Sequence, residues 1–136
     1  MKHPILLTYQ LAAGVSDSLT GAFLIVEPAL TLGLMGLHVP TDALPFLSFI
    51  GAFVFAVGLS YLYGAMLVVR GGCASRLEAL WIVTAIVRCS VAAFILASVA
   101  AGVLGAGWLT IALFDGVCVL IQAVGLRQGW LANVDK

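Results

Sequence analysis

An all-α membrane protein, folded as a four-helix transmembrane up-and-down bundle, is the fold class that this 136-residue sequence predicts. Three observations carry the prediction. Hydrophobic residues make up 63% of the chain and charged residues only 9%, with a mean hydropathy of +1.20, whereas a soluble domain is roughly a quarter charged. Four apolar runs each reach the about 20 residues that a helix needs to cross a hydrocarbon core about 30 Å thick. These runs, Ala92–Leu104 among them, lack the alternation of apolar and polar residues that marks the strands of a membrane β-barrel.

The first span is expected near Pro4–Val26. It stays as a helix rather than leaving as a signal peptide, because Asp17 interrupts its apolar stretch and no small-residue cleavage pattern follows. Glu27–Pro28 ends it, since a proline ring disfavours α conformation in the residue before it and removes a backbone donor. Ala29–Leu37 is apolar but too short to span, which predicts an interfacial or re-entrant piece leading to the Pro40 to Pro45 loop. The remaining spans are expected near Leu44–Val69, Leu77–Gly102 and Trp108–Leu126. The short connections Gly71–Arg76 and Gly102–Gly107 favour antiparallel neighbours in chain order. No linker or charge run divides the chain, so residues 1–136 read as one domain, and the repeated Gly-Ala-Phe at Gly21 and Gly51 is too short to indicate duplication.

Charge orients the bundle. Lys2, Arg70, Arg76, Arg127 and Lys136 fall at the N-terminus, the second connection and the C-terminus, and the first and third connections contain no Lys or Arg. The positive-inside rule then places both termini in the cytoplasm, and the same bias argues against a dual-topology exporter. Lacking an Arg-rich transit leader, the sequence points to a bacterial inner membrane. A formal net charge of +0 supplies no basic field for nucleic acid and no polybasic patch for anionic lipid.

Three ionisable residues stand near the middle of different apolar runs: Asp17, Arg88 and Asp115. A charge at the bilayer centre is unfavourable by roughly 2.5–3.5 kcal/mol on insertion scales, so each requires a partner or a function. Counting the helical rise from the cytoplasmic end places all three at roughly 17–20 Å depth, and they are expected to form one buried charge layer. Two carboxylates around one guanidinium compete for ionisation, which makes either Asp a candidate proton carrier; the plainer expectation is that the three residues fix which helices meet.

Gln10 and Gln122 each lie seven residues to the cytoplasmic side of their Asp and therefore on the same helix face. With Tyr61 they form a candidate polar seam. On the first helix Gly14 and Gly21 join this face, and on the fourth Cys118 does, as small residues commonly do where membrane helices approach closely. In the third helix Glu78, Trp81, Ala85, Arg88 and Ala92 follow one stripe, with Trp81 at interfacial depth. Gly51 and Gly58, one heptad apart, mark a groove in the second helix, and Tyr61 and Tyr63 read as belt aromatics.

Metal and cofactor chemistry finds no support in the sequence. His3 and His38 lie in end regions, no CxxC occurs, and Cys89 and Cys118 read as small buried hydrophobes. No nucleophilic triad or phosphate-binding loop is present, so no metal, cofactor or enzyme activity is predicted.

Asp17–Gly21 followed by Glu27–Pro28, Gly51-Ala-Phe with Gly58-Leu59, Arg88, and Asp115-Gly116 with Gln122 and Gly125-Leu126 together resemble the DoxX-like group of small four-helix membrane proteins. The resemblance implies a four-helix bundle found beside quinone-linked or other redox partners, and it supplies no catalytic residues. The expected function is a small accessory subunit that assembles with, or stabilises, a larger membrane complex or a homo-oligomer. Alternatives are a proton-coupled small-molecule transporter using Asp17 or Asp115 with Arg88, and a module binding quinone or another lipophilic ligand at Gln10, Gln122 and Tyr61. The lipid bilayer is a partner in every case.

Overall fold

The computed structural model describes residues 4–132. Lys2, His3 and Lys136, which entered the charge and histidine arguments, lie outside them. The described chain folds into helices joined by short irregular connections: α1 (Pro4–Val26), α2 (Pro28–Leu34), α3 (Leu44–Arg70), α4 (Ala74–Ala100) and α5 (Leu109–Arg127), with short 3-10 turns at Thr41–Ala43 and Ala106–Trp108 running into α3 and α5. Pro4, Pro28 and Pro45 all sit in the first turn of a helix, where the missing N–H has no intrahelical partner to lose. At the other end of α5, Gly129 adopts φ 67°, and the Trp130 N–H reaches back to the Gly125 carbonyl at 3.0 Å, so the last turn closes on itself.

Among the described residues, three stretches are long and apolar enough to cross a membrane: Thr41–Arg70, Ala74–Ala100 and Ala106–Arg127. The expected first span forms a helix of 23 residues at the expected bounds, but it is not among the three. Gln10, Ser16, Asp17, Ser18 and Thr20 make it more polar than the others. The piece after Pro28 is a helix of 7 residues, α2, which packs on α1 through buried Thr31 and Leu32. The Thr31 hydroxyl donates to the Glu27 carbonyl at 2.8 Å and closes the junction between the two helices.

The chain divides into two compact units, Pro4–Val69 and the chain from Arg70 onward. In the first, α1 and α3 meet face to face through glycine. A Cβ built on Gly14 would lie 2.8 Å from Leu62 Cδ2, one on Gly51 would lie 2.7 Å from Leu24 Cβ, and those on Gly21 and Gly58 would collide with the backbones of Phe55 and Ser18. The pairs run in opposite order along the two helices, so α1 and α3 are antiparallel. Two glycines a heptad apart on each helix remove the side chains that would hold the backbones apart, which is how membrane helices gain dispersion contact without a hydrophobic driving force. Near one end of this contact the Tyr9 and Tyr61 rings meet edge to face, with centroids 5.7 Å apart.

In the second unit α4 and α5 are antiparallel neighbours. Their facing stripes are Leu77, Trp81, Thr84, Arg88 and Ile95 on α4 and Ala112, Asp115, Cys118, Gln122 and Gly125 on α5. The α4 stripe departs from the expected one: Leu77 and Thr84 point inward and Glu78 is exposed, because a carboxylate in the second turn of the helix stays solvated while its apolar neighbour takes the packing position. Trp81 is likewise no interfacial belt residue. It is 0% exposed and lies over Gly125, where a Cβ would stand 2.6 Å from Trp81 Cζ3 and 2.8 Å from Trp130 Cε3.

Large apolar side chains cover the outer surfaces of the helices, Phe94 and Leu113 among them at 68% and 70% exposure. A soluble protein would bury such groups, and a hydrocarbon solvent makes their exposure neutral.

Candidate functional site

Arg88 and Asp115 form the strongest polar contact described. Arg88 Nη1 donates to Asp115 Oδ1 across the α4–α5 interface, and both side chains are buried. The guanidinium carbon also stands 5.3 Å from the centroid of the Phe114 ring, so the positive charge meets a carboxylate and an aromatic face contributed by successive residues of α5. Low dielectric strengthens both contacts, and it makes either ion alone very costly.

Two helical turns away the same interface carries Gln122. Its Nε2 donates to Thr84 Oγ1 at 2.7 Å and to the Trp81 carbonyl at 3.3 Å. The Thr84 hydroxyl directs its own proton to the Leu80 carbonyl at 2.8 Å, and a carbonyl can only accept. Both partners therefore demand the amide nitrogen, which fixes the orientation of the carboxamide. Oε1 points elsewhere, buried and without a hydrogen-bond partner among the described residues.

Asp17 and Gln10 are buried on α1 in the first unit. Gln10 is 0% exposed, and neither its Oε1 nor its Nε2 has a hydrogen-bond partner among the described residues. Tyr61, read from sequence as a belt aromatic, is instead wholly buried in α3; its hydroxyl stands 3.3 Å from that of Tyr9. Tyr63, two positions on and on the other side of the helix, is exposed as a belt residue would be.

Of the residues singled out from sequence, the structure thus brings together Arg88 and Asp115 in one unit, and it buries Asp17, Gln10 and Tyr61 in the other. Thr84, Phe114 and Tyr9 were not foreseen as site residues. Thr84 carried a usable signal, since it lies four residues before Arg88 on the same face of α4. Cys118 is buried as expected, whereas Cys89 is exposed on the outer side of α4. No group of three or more His, Cys, Asp or Glu side chains suited to hold a metal ion occurs among the described residues. Comparison with protein-family models, with curated proteins and with solved structures finds no match to this chain.

Proposed function

We propose that this chain is a small integral membrane subunit that crosses the bilayer four times, has both termini in the cytoplasm, and acts by assembling with a larger membrane complex or with copies of itself. The observation that carries this reading is the pairing of Arg88 with Asp115, a buried ion pair that ties α4 to α5. A buried pair of this kind specifies which helix faces meet. The outer faces, by contrast, present large apolar side chains to lipid or to other helices.

The test is gentle purification. In several mild detergents the chain is expected to run with a stoichiometric membrane-protein partner or as a homo-oligomer, measured by light scattering coupled to size exclusion. A clean monomer in all of them rules the proposal out.

A further inference from the structure

The Gln10 carboxamide is the least satisfied polar group in the described chain. It is 0% exposed, it offers two N–H donors and an acceptor oxygen, and none of the three is used. Gln122 shows what this chain does when a glutamine holds helices together. That side chain, equally buried, binds Thr84 and the Trp81 backbone across an interface. The hydroxyls of Thr31, Ser60, Thr84, Ser90 and Thr110 also reach backbone carbonyls within their own helical segments. Gln10 follows neither pattern.

Buried polar groups without partners are rare because nothing replaces the water they have lost, and each one asks for an explanation. Leucine or methionine at position 10 would fill similar space without that cost, so packing alone does not account for a glutamine. A guest must match both ends of the amide. A cation suits the oxygen and is repelled by the N–H groups; an anion does the reverse. Either would carry an uncompensated charge into the apolar interior. A neutral hydroxyl both donates and accepts, and matches the pair.

We propose that Gln10 is the binding group of a site on α1 for a neutral, hydroxyl-bearing guest, either a water molecule or the alcohol of a membrane lipid, rather than a packing residue. The site sits one position after Tyr9, whose hydroxyl faces that of Tyr61, and on the same helix face as Gly14 and Asp17. It is independent of the assembly proposed above and stands whether or not a partner is found.

The experiment compares the full-length wild type with Gln10→Met and Gln10→Leu, purified in the same mild detergent. One arm extracts the protein with organic solvent and measures bound lipid alcohols by mass spectrometry. The other exposes it to pulsed radiolysis in water carrying a heavy oxygen isotope and maps label at Leu6, Tyr9 and Tyr61, which are buried from bulk solvent. The wild type is expected to show a stoichiometric alcohol if the guest is a lipid, or heavy-oxygen label if it is water. Gln10→Met is expected to lose that signal, and both variants to melt at lower temperature than the wild type by calorimetry. Absence of both signals from the wild type overturns the proposal. So does a signal that persists in Gln10→Met, or a melting temperature at or above the wild-type value in the substituted chains, which is the result for a polar group that was merely unsatisfied.

Discussion

Arg88 was legible from the sequence because a guanidinium inside an apolar run has few stable arrangements, and Asp115 was legible for the same reason. Removing one member should be far worse than removing both. Arg88→Ala is expected to destabilise the protein by about 3–5 kcal/mol, since Asp115 is left buried without its cation, while Arg88→Met combined with Asp115→Leu should recover most of the loss. Chemical denaturation in detergent, comparing both single variants and the double variant, checks this; additive losses would show that the pair is not coupled. Gly125→Ala addresses a different kind of contact. The added methyl meets Trp81 and Trp130 from two sides, and overpacking of this kind should cost about 1–3 kcal/mol in the same measurement. Neither this glycine's setting nor the role of Thr84 followed from sequence. The spacing of Thr84 from Arg88 marks it as inward-facing, but a threonine that satisfies itself on its own helix backbone does not name the glutamine it receives, and a tryptophan near a helix end looks the same whether it faces lipid or a neighbouring glycine.

Helix bounds were the most legible part of the fold, because proline starts and long apolar runs act locally. Residues 4–26 and 44–70 form helices within one residue of the expected limits, and α4 begins three residues earlier than expected, before Leu77. Side-chain direction was less legible, because the apolar residues surround each helix and the periodicity that marks an inner face in a soluble protein is weak. Tyr61 and Glu78 were misplaced for this reason. Glycine spacing proved a better guide: Gly14, Gly21, Gly51 and Gly58, visible in the sequence as heptad pairs, are the residues that bring α1 against α3. Cysteines introduced as Tyr9→Cys and Tyr61→Cys, where the rings meet across the same helix pair, are therefore expected to be joined intramolecularly by a short bifunctional thiol reagent. Adding Gly58→Val, which drives a branched side chain into Ser18, should abolish the cross-link; a cross-link that survives would mean that the two helices are held together by other contacts.

Orientation belongs to the molecule as a whole, and the chain supplies a native handle for it. Cys73 is exposed in the connection between α3 and α4, Cys89 is exposed along an apolar helix, and Cys118 is buried. With both termini in the cytoplasm, as proposed, Cys73 should react with a membrane-impermeant maleimide only after intact cells are permeabilised. Reaction in intact cells would invert the proposed orientation. The division of the chain into two compact units has one more consequence, and it is optical. All three tyrosines, Tyr9, Tyr61 and Tyr63, belong to the unit of α1 and α3, and all three tryptophans, Trp81, Trp108 and Trp130, belong to the unit of α4 and α5. Two of the indoles flank Gly125 and two of the phenols share a contact, so emission excited beyond the tyrosine absorption edge follows the α4–α5 half alone, and the tyrosine band of the second-derivative absorbance spectrum follows the α1–α3 half of the unlabelled protein. A thermal scan read by both signals reports whether the halves melt together or one after the other.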